Sequence, residues 1–192
     1  MGKIVVITNL TLDGVMQAPG HADEDPRGNF KYGGWATPFA AMQQPEAGPA
    51  FANLGAFLFG RLTYARFYAF WPNQSTNPFT EVLNNTPKYV VSTTLEEPLP
   101  WSNSVLIKTD IVPTLEALKA SQEQNFVVFG SGVLVQSLMR WNLVDEYVLL
   151  IHPLTLGTGR RLFVDDGFPM NLKLHDVKAT ANGVVVATYQ PD

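Results

Sequence analysis

Short apolar runs in this chain stop at glycine, hydroxyl or turn residues and give way to amphipathic stretches, and the alternation repeats. Ile4 to Leu10 predicts a first strand that ends before Asp13-Gly14, a turn pair. Phe57 to Gly60 predicts a short second strand, and Arg61 to Phe70 a helix closed by Trp71-Pro72. Tyr89 to Val91 and Val105 to Lys108 predict two more strands. They are followed by a helix over Pro113 to Ser121, with Leu115 and Leu118 on one face. Phe126 to Phe129 is an apolar run too short for a helix. It stops at Gly130-Ser131-Gly132, after which Leu134, Leu138 and Trp141 share one helical face. Tyr147 to Ile151 reads as a further strand. Leu172 to Val177 and Val184 to Tyr189, joined through Asn182-Gly183, read as an antiparallel hairpin.

Strands alternating with helices predict a mostly parallel sheet covered on both faces, here with an antiparallel C-terminal edge. The expected fold class is therefore α/β, a three-layer α/β/α sandwich, in one domain over residues 1–192. In open sheets of this kind ligands collect at the carboxyl ends of the strands, so the polar clusters just after strands are the ones to weigh. Residues 18–50 form a long stretch rich in Gly, Pro, Ala and charge, with Phe30, Tyr32, Trp35 and Phe39 scattered through it. A stretch of that length between elements suggests a lid or a substrate wall.

Composition narrows the chemistry. With 46% hydrophobic residues the chain can bury a large core, and its net charge of −4 argues against a nucleic-acid surface or an anionic-membrane anchor. The Ile4 to Ile7 run is far too short for a signal peptide or a membrane span, so a cytoplasmic location is the expectation. Lack of cysteine removes disulfides, thiolate nucleophiles and cysteine-ligated zinc. His21, His152 and His175 have no paired ligand spacing, so no metal site is expected.

Four clusters could carry chemistry. Gly130-Ser131-Gly132 lets backbone approach a ligand closely, and the helix start that follows offers unpaired N–H groups to an anion. Arg61 stands at a helix N-terminus, where a cation is unfavourable unless a bound anion reverses the penalty; the alternative is a solvated arginine with Thr63 in the first turn. Ser92-Thr93-Thr94 could hold a phosphate or cap a turn. Leu154 to Phe163 brings two glycines, Arg160 and Arg161 after another strand, as an anion site or a tight turn with exposed charge. Asp13 could supply a proton relay or a substrate anchor, or simply make an Asp-Gly turn. Trp35, beside Gly33-Gly34, could face a flat ligand, whereas Glu24, Asp25 and Arg27 read as a solvated loop face. The glycine turn is not a Rossmann fingerprint, because the third glycine would fall at Val135. Ser131 lacks the spaced Gly-x-Ser-x-Gly of a nucleophile elbow, so a serine hydrolase is a weak reading.

Taken in order, Leu12-Asp13-Gly14, Gly60-Arg61-x-Thr63-Tyr64, Lys88 to Leu95, Gly130-Ser131-Gly132, and Leu143-Val144-Asp145-Glu146 leading to Pro153-x-x-Leu156-Gly157-x-Gly159-x-x-Leu162-Phe163 form a recognisable series. The chain resembles the dihydrofolate-reductase-like family that includes the reductase domain of bacterial riboflavin biosynthesis, within its stand-alone reductase-like subgroup. The resemblance spans nearly the whole chain. It implies the dihydrofolate-reductase-like sandwich, NADPH as cofactor and a homodimer. By match, Gly60, Arg61 and Thr63 would contact the cofactor phosphates, and Ser92 and Thr93 would flank the adenosine 2′-phosphate. Gly130, Ser131, Gly132 and Leu134 would form the pyrophosphate turn and its helix start, with Asp13 near the meeting point of nicotinamide and substrate. The resulting expectation is an NADPH-dependent reductase of a small heterocyclic or carbonyl compound, such as a ribosylaminopyrimidine and less readily a pterin. Its rival is an NADP(H)-binding protein without turnover.

Overall fold

The computed structural model describes residues 1–42, 48, 51, 53–165 and 168–192. Its centre is one eight-stranded sheet. The strands are β1 (Ile4–Thr11), β2 (Leu54–Gly60), β3 (Lys88–Val91), β4 (Ser104–Ile107), β5 (Asn125–Phe129), β6 (Glu146–His152), β7 (Leu172–Ala179) and β8 (Val185–Pro191). They lie in the order β4-β3-β2-β5-β1-β6-β8-β7. The first six run parallel, and β8 and β7 close the sheet antiparallel, as the sequence pattern predicts.

Among the described residues, helices α1 (Arg61–Phe70), α2 (Pro78–Asn85), α3 (Ile111–Ser121) and α4 (Gly132–Arg140) cover the sheet. The two-residue period of β1 explains the layering. Ile4 and Val6 point to the face where Leu115 of α3 and Leu134, Val135 and Leu138 of α4 pack. Val5 and Ile7 point to the opposite face, where Tyr64 of α1 and Leu83 of α2 pack. A strand buried on both sides must be apolar at every position, and all four residues are essentially inaccessible.

α2 has no counterpart among the elements that the sequence pattern predicts. It starts where the Asn77 side chain accepts the Phe79 N–H at 3.0 Å and Pro78 takes the first helical position. Its other end rests on Lys88, fully buried, whose Nζ donates to the carbonyls of Leu83 (2.6 Å) and Thr86 (2.8 Å) and sits over the Trp101 ring. Burial pulls the Lys88 ammonium down to about 8.

The wall predicted for residues 18–50 is built as a pinned structure up to residue 42; residues 43–47, 49 and 50 of that prediction lie outside the described residues. Val15, Ala18, Phe30, Trp35 and Ala36 make a small core of their own. Gly33 is obligatory here, because a Cβ would lie 2.2 Å from the Ala22 carbonyl oxygen where the loop crosses itself. The solvated reading of Asp25 is corrected: it is 5% exposed and bonded by Arg27 and by Arg66 of α1, at 2.9 Å. Burial opposes its ionisation, but the two guanidiniums outweigh that and hold its carboxyl well below the usual range. The pattern cannot reveal this partnership, since Arg66 lies far along the chain on a different element. Asp25→Ala leaves both cations without their shared anion. It is expected to cost about 3 kcal/mol, read as a lower urea midpoint at neutral pH.

Candidate functional site

All six parallel strands point the same way, so the segments after β1, β2, β3, β5 and β6 meet at one edge. β1 continues four residues past the end of β5, since Ile7 is level with Phe129 while Thr11 is level with His152. The chain leaves β1 toward β2 on one side and leaves β5 toward β6 on the other. That reversal makes a crevice at the β1–β5 seam.

Two helix N-termini are tied together in this crevice. Gly60, the last residue of β2, precedes α1; Ser131 precedes α4. The Gly60 N–H donates to Ser131 Oγ at 3.1 Å, and the Ser131 N–H donates to Thr63 Oγ1 at 3.0 Å. Gly130 and Ser131 both adopt the left-handed conformation, with φ of 62° and 52°, which turns the chain sharply enough to bring the two helices together. Neither helix has an acidic residue in its first turn or a side chain bonded to its N-terminal N–H groups. Among the described residues, both positive dipole ends are therefore left without an acidic first turn or a capping side chain.

Arg61 is exposed at the first position of α1 and has no ion pair among the described residues. Gly60 is level with Val91, so Arg61 and Ser92 are the next residues along two adjacent strand ends. The Ser92 hydroxyl caps its own turn, accepting the N–H groups of Thr94 (3.2 Å) and Leu95 (3.1 Å). Thr93 beside it is exposed. The structure thus brings Gly60, Arg61, Thr63, Ser92, Thr93, Gly130, Ser131, Gly132 and Leu134 to one edge, with the Leu134 side chain turned into the core under α4. Ser131 spends its hydroxyl on Gly60 and on the Phe129 carbonyl, with no histidine among its bonded partners, which leaves the hydrolase reading without a base. Thr63→Val keeps the shape but removes the acceptor of the Ser131 N–H. A loss of about 1–3 kcal/mol in unfolding free energy is expected, measured by urea denaturation.

Asp13 takes a different part from the one its motif suggests. Its carboxylate accepts the Thr11 hydroxyl at 2.5 Å and the N–H groups of Leu156 (3.2 Å) and Gly157 (2.7 Å). The Thr11 hydroxyl, then these backbone N–H groups, hold its carboxyl below the ordinary value. It is ionised and engaged at neutral pH, which suits a clamp joining the β1 turn to the loop after β6 better than a proton donor. In that loop, Arg160 and Arg161 are exposed, and their backbone is bound by Gln17 and Gln136.

Trp35 is also placed differently. Its ring is 8% exposed, its Nε1–H donates to the Gln17 carbonyl at 2.7 Å, and its edge meets His152 with centroids 5.1 Å apart. The ring is a post of the wall, not an open face for a flat ligand. His152, at the end of β6, is read from the sequence only as a histidine without metal-ligand spacing, and the structure makes it a buried part of this wall. It is fully buried, bonded through Nε2 to Asn9 Oδ1 at 2.9 Å and held between the Trp35 and Phe39 rings. Burial pulls its imidazolium down to about 4.

A family model described as the RibD C-terminal domain matches residues 2–186. The chain belongs to that family. Among curated proteins, the RibD-type chain is similar to YyaP of Bacillus subtilis (strain 168), itself uncharacterized, at 28% identity over 142 residues, covering 71% of this chain and 74% of YyaP. Among solved structures, it is similar to a protein from Shewanella sp. PV-4 attributed to riboflavin biosynthesis, with a TM-score of 0.69 and 21% identity. That match covers 99% of each chain. It is also similar to the dihydrofolate reductase of Enterococcus faecalis, solved with NADP(H), with a TM-score of 0.62 and 13% identity, covering 100% of this chain and 97% of that one. At these identities the structural likeness establishes the dihydrofolate-reductase-like fold. Among the described residues no helix is long and apolar enough to cross a membrane, and no group of His, Cys, Asp and Glu could hold a metal ion.

Proposed function

We propose that this RibD-type domain is an NADPH-dependent reductase of a small heterocyclic compound. One observation carries the reading: two helix N-termini with no acidic residue in their first turns are bonded to each other at the switch point of a parallel sheet, beside an arginine with no ion pair among the described residues. Such a cradle suits a dinucleotide. Its pyrophosphate would lie against the N–H groups at Gly130, Ser131 and Gly132 and at the start of α1. Arg61, with Thr93 beside it, would take the adenosine 2′-phosphate, since a guanidinium grips phosphate with two prongs. Bound there, the cofactor would supply hydride.

The protein's own task is then orientation and exclusion of water. Asp25 and Arg66, with the edge-to-face contacts of the Trp35 and Phe39 rings on His152, fix the wall, so substrate would meet a preformed surface. With the Asp13 carboxylate taken up by the loop after β6, the accompanying proton would come from solvent. The family and the riboflavin-related structural neighbour support a ribosylaminopyrimidine-like substrate ahead of a pterin.

The test is a screen of NADPH oxidation with pyrimidine and pterin compounds. Turnover with a pyrimidine is the expected result. NADPH binding with no oxidation across the screen would favour a regulatory nucleotide-binding protein, and no binding would remove the reading altogether.

A further inference from the structure

We propose that Asn9 is the residue that recognises the substrate, its side-chain amide donating to a ring carbonyl of a flat, uncharged heterocycle that lies over the end of β5. This deepens the reductase reading and rests on it for the class of compound.

The position of Asn9 is set by strand lengths. Along β1, Asn9 is half-buried while every other residue is buried. It follows Val5 and Ile7 on the face that packs against α1 and α2. On one side it is level with Leu150 of β6. On the other side β5 has already ended, since Phe129 is level with Ile7 and the chain turns away at Gly130 and Ser131. The open side of Asn9 is therefore the crevice, beside the tied starts of α1 and α4.

The amide is oriented from behind. An asparagine side chain carries one acceptor oxygen and two N–H donors. The oxygen is committed, with Oδ1 2.9 Å from His152 Nε2. His152 is buried between the Trp35 and Phe39 rings and uncharged at neutral pH, so it meets Oδ1 as an N–H donor. That bond fixes which end of the amide is which and leaves Nδ2 with no acceptor among the described residues. The next polar groups along β1 are already engaged. The Thr11 hydroxyl donates to Asp13 and accepts the Val15 N–H at 2.9 Å, and the Asp13 carboxylate is held by the loop after β6.

The ground beside Asn9 is aromatic. Phe129 is half-buried on the same face, and its ring lies among those of Phe51, Phe67 and Phe79, with centroids 6.3, 6.1 and 6.5 Å away. A ring surface with a single oriented amide donor at its border suits a planar molecule that shows a neutral acceptor.

Calorimetric titration of the whole chain tests this, with 5,6-diaminouracil and with 4,5-diaminopyrimidine, which lacks the ring carbonyls, each with and without NADP+. Asn9→Asp keeps the acceptor for His152 and replaces the donor by a second acceptor. Diaminouracil should bind this variant about tenfold to a hundredfold more weakly than it binds the natural protein, while NADP+ affinity stays within about twofold. Diaminopyrimidine should bind the natural protein about as weakly as diaminouracil binds the variant. His152 acts only by positioning Asn9. His152→Gln keeps an N–H for Oδ1 and should bind diaminouracil nearly as the natural protein does, whereas His152→Leu should bind it about as weakly as Asn9→Asp. Circular dichroism checks folding. If Asn9→Asp is unfolded, the Asn9 side-chain amide signals in the NMR spectrum of the natural protein decide, and they should move as diaminouracil saturates it. No binding of diaminouracil, equal affinity in Asn9→Asp, no preference over diaminopyrimidine, or unmoved Asn9 signals would each overturn the proposal. Binding that depends on Asn9 without any NADPH oxidation would keep this recognition and remove the reductase reading.

Discussion

Acidification is expected to destabilise this protein through His152 before any carboxylate responds. In the folded state the buried imidazole takes a proton only near pH 4, whereas in the unfolded chain it does so near 6.5. Between those values the unfolded state binds more protons, so stability is fully present above 6.5 and is lost as pH falls toward 4. The shift corresponds to about 3 kcal/mol, a large part of the stability of an ordinary domain. Asp25 acts in the same direction, but its loss begins only as pH approaches 3.8, below the His152 window. Urea denaturation across that pH range should therefore show a slope that His152→Gln flattens, since an amide can still meet Asn9 without acquiring charge. An identical slope in the variant would show that the imidazole is not buried as described.

Replacing Arg61 with alanine is expected to weaken NADPH binding about tenfold to a hundredfold while changing NADH affinity little. Arg61 is exposed at the start of α1 and has no ion pair among the described residues, so the substitution should not disturb the fold. What it removes is a charge-assisted contact of about 1.5–3 kcal/mol to a phosphate that only NADPH carries. Raising salt should shrink the difference, as befits an exposed site. Equal weakening of both cofactors, by fluorescence titration, would move the 2′-phosphate away from Arg61.

The layers were legible because burial on both faces forces whole strands to be apolar, and because glycine and hydroxyl residues mark where such strands end. Ile4 to Ile7, Phe126 to Phe129 and the turn at Gly130 are clear for that reason. The placement of Arg61, Ser92 and Gly130 at one edge follows from parallel direction alone. What pattern could not supply is partnership across long separations. Asp25 reads as a solvated acid until Arg66 is placed beside it, and Trp35 reads as an open ring until Gln17 and His152 close on it. Asp13 keeps its turn, but its carboxylate is taken by residues at 156 and 157. α2 did leave a trace in Asn77-Pro78, with Phe79 and Leu83 one turn apart, but the helix is short and its start lies in a polar stretch. The register of β7 also had no local sign: Leu174 is level with Tyr189 and Asp176 with Thr188, which leaves His175 as an extra residue that only the pairing with β8 reveals.

Amide hydrogen exchange with and without NADPH asks most directly whether the starts of α1 and α4 together receive a dinucleotide's phosphates. Slowed exchange confined to residues 60–63 and 130–134, with smaller slowing at 92–93, is the predicted result. Saturating NADPH that leaves both helix starts unprotected, or protects a surface away from this edge, would contradict it.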